Sequence, residues 1–209
     1  MRIGIVGSGK IGGTLTELFA RHGNEVTVAN SRGPESLGEL VARAGDNARA
    51  GTVADAASFG DVVVVAIPVA AYDTLPSGRF DGKVVVDTGN YYPSRDGDID
   101  VLDSDETTST ELLGESLPGA RLVKAFNTMN YAPLGNEGRP EQPRAERLAI
   151  FLAGDDREAK DVVAGLIDEL GFAPVDTGSL AEGGRRQQPG APVYNNPLRA
   201  EEAEAVLSG

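Results

Sequence analysis

The sequence predicts an α/β fold: a doubly wound, mostly parallel β-sheet with helices on both faces. Strand-length apolar runs alternate along the chain with segments whose apolar residues recur at helical spacing, and this alternation is typical of such sheets. Residues 62–67 form an unbroken apolar run, as expected for a central strand that is buried on both faces. A glycine-rich turn joins the first predicted strand directly to the first predicted helix.

Short apolar runs, several of them rich in β-branched residues, predict seven strands. They are residues 2–6, 25–29, 62–67, 83–87, 121–126, 147–153 and 173–176. The first two flank a single predicted helix and form a βαβ unit, so we expect them to pair in parallel. Later strands are also separated by helical segments, which favours a mostly parallel sheet.

Helical spacing and end signals predict five helices. They cover residues 11–22, 34–44, a short segment after residue 108, and residues 157–170 and 200–207. Gly23 ends the first helix, Pro34 begins the second, and the capping box Thr108-Ser-Thr-Glu111 begins the third. Residues 182–197 are rich in Gly, Pro and Gln, which predicts an arm or a lid.

Composition predicts one globular domain over residues 1–209, with 40% hydrophobic and 24% charged residues. We expect its core in residues 1–130 and a C-terminal α/β extension and arm in residues 145–209. The longest apolar run, residues 62–71, is far shorter than the roughly 20 residues of a bilayer span. Because the N-terminus leads straight into a strand, we expect a cytoplasmic protein without a membrane partner. An apolar face on the last elements would be compatible with a homodimer.

Charge and residue inventory exclude several classes of function. The formal net charge of −13 would repel a phosphate backbone, which disfavours a nucleic-acid partner. Cysteine is absent and His22 is the single histidine, so disulfides, thiolate nucleophiles and the usual zinc sites are excluded. Residues 96–106 begin like a calcium loop, but Val101 and Thr107 stand where glycine and a bidentate glutamate are needed. We therefore predict no metal site.

The glycine-rich turn carries the strongest functional signal. Residues 7–12 match G-x-G-x-x-G between a strand and a helix. In dinucleotide-binding domains the first glycine allows the tight turn, the second the approach of the pyrophosphate, and the third close packing of helix on strand. We therefore predict a Rossmann-type domain in which the cofactor is bound by Gly7, Ser8, Gly9, Lys10, Ile11 and Gly12.

Two observations indicate which nucleotide the predicted site binds. A phosphate-loop motif, G-x-x-x-x-G-K-[ST], would begin at Gly4, but Ile11 replaces the hydroxyl residue that holds magnesium, so a nucleoside triphosphatase is rejected. NAD-binding domains place an acid at the end of the second strand, whereas this chain has Asn30, Ser31 and Arg32 there. A guanidinium pairs with a 2′-phosphate and the two neutral side chains can add donors, so NADP is predicted.

Ligands in such sheets lie beyond the carboxyl ends of the strands, where the loops at residues 67–69, 87–93 and 125–130 converge. These loops add Ile67, Pro68, Asn90 and Asn127 to the predicted cofactor site. They lack groups that titrate near neutrality, and no Tyr is followed four residues later by Lys. We therefore predict no catalytic acid or base. The simplest remaining reaction is hydride exchange between NADP and a second redox cofactor whose ring absorbs the charge.

The chain resembles the NADP oxidoreductases that use the deazaflavin coenzyme, factor 420, whose fold recurs in the cytoplasmic domain of membrane metalloreductases. The resemblance covers residues 1–177. It is carried by Gly7-Ser-Gly-Lys-Ile-Gly12, Asn30-Ser-Arg-Gly33, Ala66-Ile-Pro68 and Val123-Lys-Ala-Phe-Asn-Thr128. It implies that the first two motifs bind NADP and that Ile67, Pro68 and Asn127 place the nicotinamide against the deazaflavin. Residues 88–93 and 185–190 instead resemble a short-chain subgroup of predicted dinucleotide-binding enzymes, so the expected acceptor is a deazaflavin or a flavin.

Two other functions stay open. One is an NADPH-dependent reductase of a small carbonyl or imine substrate, related to β-hydroxyacid dehydrogenases, although the chain is too short for the large helical domain of those enzymes. The other is a non-catalytic NADP-sensing protein, although no effector domain is appended. Oxidation of NADPH by an acceptor would argue against the sensor.

Overall fold

The computed structural model describes residues 1–208, which form one eight-stranded sheet. The strands are β1 (Arg2–Val6), β2 (Glu25–Ala29), β3 (Ala48–Ala50), β4 (Val62–Val65), β5 (Val84–Asp87), β6 (Arg121–Ala125), β7 (Ala149–Ala153) and β8 (Ala173–Asp176). Their order across the sheet is β3-β2-β1-β4-β5-β6-β7-β8. Every neighbouring pair is parallel except β6 and β7. The predicted fold class is confirmed.

Ten α-helices of the described chain connect or flank these strands. They are α1 (Lys10–Arg21), α2 (Gly38–Ala44), α3 (Val53–Phe59), α4 (Pro93–Asp96), α5 (Asp100–Asp103), α6 (Ser109–Ser116), α7 (Tyr131–Asn136), α8 (Arg157–Glu169), α9 (Leu180–Arg185) and α10 (Ala200–Ser208). All five predicted helices are present. The second is divided into a 3-10 turn at Pro34–Leu37 and α2.

Two apolar cores lie on opposite faces of the sheet. Along β4, Val62 and Val64 belong to one core, and Val63 and Val65 to the other. All four are shielded from solvent, as expected for a central strand of a parallel sheet. Because β1, β2, β4, β5 and β6 run in the same direction, their carboxyl ends meet at one edge of the sheet. The loops after these strands converge there.

One strand and one helix in residues 45–60 were not predicted from the sequence. β3 extends the sheet beyond β2, and α3 follows it. α3 begins at a capping box in which Thr52 Oγ1 accepts from Asp55 N at 3.1 Å and Asp55 Oδ2 accepts from Thr52 N at 2.9 Å. The spacing Thr-x-x-Asp is the signal that could have revealed α3. β3 has three residues, which is too short for a periodic pattern.

The C-terminal extension joins the sheet through the antiparallel pair of β6 and β7, in which Lys124 lies opposite Ala153 and Ala125 opposite Leu152. The predicted arm, residues 182–197, begins inside the short helix α9. Residues 186–199 are irregular or in turns and cross the carboxyl edge of the sheet.

The last helix packs against the C-terminal extension. On α10, Ala203 is buried and Leu207 packs against the same apolar cluster as Phe151 and Val175. Val206 is 38% exposed. Most of the apolar side of α10 is therefore covered by this chain, and the homodimer stays a prediction. Within residues 1–208, no helix is both long and apolar enough to cross a bilayer.

Candidate functional site

Gly7 and Gly12 shape the turn between β1 and α1. Gly7 has a φ angle of +112°, which residues with a side chain rarely adopt. A Cβ atom on Gly12 would collide with the carbonyl oxygen of Gly7, so the helix can approach the strand this closely only with glycine at that position. A Cβ atom on Gly9 would meet no protein atom within 4 Å. The turn therefore leaves open space beside Gly9.

The N-terminus of α1 faces this open space. Its N-cap residue is Gly9, which has no side chain to accept hydrogen bonds from the first-turn amides. These amides and the helix dipole favour an anion. Lys10 adds a positive charge, and its Nζ lies 4.8 Å from the centre of the Tyr131 ring. The start of α1 is thus equipped to bind a phosphate-bearing ligand.

Asn30 organises the loop that follows β2. Its Nδ2 donates to Ser8 Oγ at 3.0 Å and to Ser36 Oγ at 2.9 Å. Its Oδ1 accepts from the backbone N–H of Arg32 at 2.9 Å. Asn30 therefore fastens this loop both to the glycine turn, through Ser8, and to the 3-10 turn at Pro34–Leu37, through Ser36. Ser31 and the Arg32 side chain remain exposed, and Arg32 forms no ion pair with residues 1–208.

Two cavities at the carboxyl edge of the sheet share a wall. The side cavity, of about 370 Å³, is lined by Gly7, Ser8, Asn30, Ser31 and Arg32 together with apolar residues. The central cavity, of about 400 Å³, is lined by Lys10, Ile11, Asn90, Asn127 and the residues named below. Gly9, Ala66, Ile67 and Pro68 line both. The two cavities therefore lie next to each other, and we refer to them together as the groove. Of the predicted cofactor-binding residues, Gly12 alone is buried beneath the groove and does not line it.

The groove is positively charged although the protein is acidic. Its charged residues are Lys10 and Arg95 on the central cavity and Arg32 on the side cavity. No Asp or Glu of the described chain lines either cavity, although the sequence contains 32 of them. Such a local field favours an anionic ligand.

Asn90 and Asn127 join the loops that follow β5 and β6. Asn90 Nδ2 donates to the carbonyl oxygen of Asn127 at 2.9 Å, and Asn127 Nδ2 donates to Asn90 Oδ1 at 3.1 Å. Asn127 Nδ2 also donates to the carbonyl oxygen of Gln187 at 2.8 Å. Asn127 Oδ1 is buried and has no hydrogen-bond partner among residues 1–208. An unpaired buried acceptor is costly, so a ligand N–H that reached it would be stabilising.

A buried ionic network supports these loops from below. Lys124 Nζ donates to the carbonyl oxygen of Gly89 at 2.9 Å, and Gly89 N donates to Asp87 Oδ1 at 2.8 Å. Asp87 also accepts from Tyr72 Oη at 2.7 Å and from Thr110 Oγ1 at 2.6 Å. Burial lowers the pKa of Lys124 and raises the pKa of Tyr72. Lys124 does not line the groove, so it acts on the loop that carries Asn90 and not on a ligand.

Several residues that line the groove were not predicted from the sequence. The central cavity is also lined by Tyr92, Arg95, Tyr131, Tyr194 and Asn195. The hydroxyl of Tyr194 is hydrogen-bonded to that of Tyr92, and Asn195 N donates to the carbonyl oxygen of Thr128 at 2.8 Å. Residues 186–199 thus contribute Tyr194 and Asn195 to the wall of the central cavity. No local pattern in this Pro- and Gly-rich segment indicates that contact, because it joins residues about a hundred positions apart.

Comparison with known proteins places this site in a family of redox enzymes. The family described as NADP oxidoreductase coenzyme F420-dependent matches residues 2–91, which include the glycine turn, the loop after β2 and Asn90. Metalloreductase STEAP3 of Rattus norvegicus is 30% identical over 182 residues, covering 86% of this chain and 34% of that protein. The chain therefore spans about a third of the length of this curated relative.

Solved structures agree on the fold. A hypothetical protein of Sinorhizobium meliloti, SMa0349, is 36% identical with a TM-score of 0.79, covering 95% of both chains. An Arthrobacter sp. FB24 protein, provisionally described as an F420-dependent NADP-reductase, is 24% identical with a TM-score of 0.74, covering 95% of this chain and 99% of that one. An imine reductase from Pseudomonas sp. is 17% identical with a TM-score of 0.61, covering 85% of this chain and 55% of that one, and this likeness concerns the fold alone.

Proposed function

Since residues 2–91 of this chain belong to the NADP oxidoreductase coenzyme F420-dependent family, we propose that the protein transfers a hydride between NADPH and a deazaflavin or a flavin. The match of residues 2–91 to this family supports an NADP-dependent oxidoreductase. The identity of the hydride acceptor is our inference from the groove.

The observation that carries the proposal is the groove itself. Gly9, the N-cap residue without a capping side chain, lines both cavities, whereas Arg32 lines the side cavity and the pair Asn90 and Asn127 lines the central cavity. The first-turn amides of α1 would hold the pyrophosphate of NADP, and Ser31 and Arg32 would hold the 2′-phosphate. The unpaired Oδ1 of Asn127 would accept a hydrogen bond from the nicotinamide carboxamide. These donors and acceptors match the two ends of NADP.

The central cavity would hold the acceptor beside the nicotinamide. The single histidine, His22, donates from Nδ1 to the carbonyl oxygen of Leu18 at 2.9 Å at the far end of α1, and takes no part. A deazaflavin or flavin ring takes up a hydride and delocalises the resulting charge itself. Lys10 and Arg95 would lower the energy of a negatively charged reduced ring because they are the charged groups on this wall. Pro68 and Ile67 would hold the nicotinamide between the two cavities.

The experiment is the loss of NADPH absorbance with purified protein, comparing deazaflavin, FMN, FAD and no acceptor, with NADH in parallel. We expect rapid turnover with a deazaflavin or flavin and a preference for NADPH over NADH. A binding titration of NADPH on the same preparation separates loss of binding from loss of turnover.

Each outcome decides the proposal. Turnover with deazaflavin alone supports the narrower assignment, and turnover with FMN or FAD supports the flavin. Tight NADPH binding without oxidation by any of the three contradicts the proposal and favours the sensor or an organic substrate. Absence of NADPH binding contradicts the assignment of the groove itself.

A further inference from the structure

Two tyrosine hydroxyls meet at the wall of the central cavity. Tyr92 follows β5 and Tyr194 lies on the segment that crosses the sheet edge, and their Oη atoms share a hydrogen bond. Both side chains are partly buried. The pair thus brings acidic O–H groups to the cavity that would hold the nicotinamide, although no single segment of the sequence carries a catalytic acid.

The surroundings of the pair suit a proton donor. The guanidinium of Arg95 lies 5.0 Å from the centre of the Tyr92 ring, and Asp96 pairs with Arg95 at 2.8 Å while accepting from Tyr92 N at 2.9 Å. Partial burial and the bond to Tyr92 raise the pKa of Tyr194 to about 12. The Tyr194 phenol therefore keeps its proton at neutral pH. The positive charge of Arg95 acts in the opposite sense and would favour the Tyr194 phenolate that proton donation leaves.

We propose that Tyr92 and Tyr194 form a proton-donating pair, and that the groove also reduces small compounds with a polarised carbonyl group. The carbonyl carbon accepts a hydride from C4 of the nicotinamide, and the electrons of the C=O π bond move to the oxygen. That oxygen takes the proton of one phenol, and the phenolate recovers a proton from solvent through its partner. NADPH is oxidised to NADP⁺ and the carbonyl compound is reduced to an alcohol.

The walls of the cavity define the substrate class. Asn90, Asn127, Asn130 and Asn195 line the same cavity as the pair. A cavity of about 400 Å³ that admits a redox ring beside the nicotinamide also admits a smaller carbonyl compound there. Small, polar aldehydes and dicarbonyls fit such a space. This inference rests on the NADPH site of the proposed function but not on its deazaflavin or flavin acceptor.

The test measures NADPH oxidation with methylglyoxal, 2,3-butanedione and glyoxylate, and with deazaflavin on the same preparations, in H₂O and in D₂O. The variants are Tyr92→Phe and Tyr194→Phe. Tyr91→Phe is the matched control, because the Tyr91 hydroxyl bonds Gly97 O and Asp103 outside the cavity. We expect wild-type turnover of at least one carbonyl compound, slower in D₂O. Because general acids contribute roughly 10²–10⁴-fold, each cavity variant should lose about 10²-fold or more of kcat at unchanged NADPH affinity. The Tyr91→Phe control should stay within about threefold.

This experiment distinguishes failure of the carbonyl inference from failure of the proposed deazaflavin or flavin acceptor. Turnover of deazaflavin but of none of the carbonyl compounds overturns the carbonyl inference and leaves the proposed function standing. Carbonyl turnover that is equal in wild type and both cavity variants overturns the role of the phenols. Carbonyl turnover that requires the phenols, with no turnover of deazaflavin or flavin, supports this inference and overturns the proposed acceptor.

Discussion

The ammonium nitrogen of Lys124 lies 3.7 Å from Asp87 Oδ2, and both side chains are wholly shielded from solvent. Breaking a buried ion pair on one side leaves an uncompensated charge and typically costs about 3–5 kcal/mol. We therefore expect Lys124→Met to lower the free energy of unfolding by about that amount in a urea titration. The double variant Asp87→Asn with Lys124→Met should lose less than the sum of the two single losses. Arg157→Met removes one charge from a side chain that is 93% exposed and is the control. Equal losses for Lys124→Met and Arg157→Met would contradict this account.

Gly9 and Gly12 should respond differently to added side chains. Gly9→Val meets open space, so the protein should stay folded, but the new methyl groups would block the approach of the pyrophosphate. We expect NADPH affinity to fall at least tenfold, or about 1.4 kcal/mol, in a fluorescence titration. Gly12→Ala collides with Gly7 O and should instead lower the free energy of unfolding by about 1–3 kcal/mol. If Gly9→Val left NADPH affinity intact, the glycine turn would not be the pyrophosphate site.

Arg32→Asp should weaken NADPH binding by about 2 kcal/mol or more, because it removes a charge-assisted pair and adds repulsion of the 2′-phosphate. NADH lacks that phosphate, so its affinity should change little. Arg79→Asp makes the same change of charge at a residue outside the groove, whose Nη1 donates to Ser58 Oγ at 3.3 Å. Titrations of NADPH and NADH on both variants test whether Arg32 binds the 2′-phosphate. Equal losses for NADPH and NADH in Arg32→Asp would refute the assignment.

Tyr72 should make the fold sensitive to alkaline pH. Burial raises its pKa well above 10, so the folded state keeps a phenol proton that the unfolded chain releases above about pH 10. A group with a raised folded pKa contributes stability that is fully present below the unfolded pKa and is lost as the pH rises through the folded pKa. The free energy of unfolding of the wild type should therefore fall more steeply above pH 10 than that of Tyr72→Phe. If the free energies of unfolding of the two proteins, measured by urea titration between pH 9 and pH 11, fell with parallel slopes, the prediction would be wrong.

Local signals were sufficient for most of the fold. The strands could be predicted because each contains a short apolar run. The turn at Gly7 could be predicted because the steric limits on backbone angles hold in any sequence. Neither prediction needs knowledge of distant contacts. α3 was missed although its capping box, Thr52 and Asp55, is as local as that of α6. β3 was missed because it gains its place by pairing with β2 and not from its own three residues.

The central cavity could be predicted only in part, because some of its wall depends on contacts between distant segments. Tyr194 reaches Tyr92, and Gln187 reaches Asn127, through hydrogen bonds that no periodicity encodes. Phe126 is buried with a φ angle of +62°. An aromatic residue in that region of backbone angles is unusual and is held there by its surroundings, so the backbone turn before Asn127 cannot be predicted from the residue type.

The separation of charge described above gives the protein two different fields for an incoming anion. Within a Debye length of about 8–10 Å from the outer surface, an approaching dinucleotide would be repelled by the net charge of −13, whereas inside the groove it would meet Lys10, Arg32 and Arg95. Added salt screens the first field more strongly than the second. The association rate of NADPH should therefore increase with ionic strength, whereas in the usual electrostatically steered encounter it decreases. The dissociation rate should also increase.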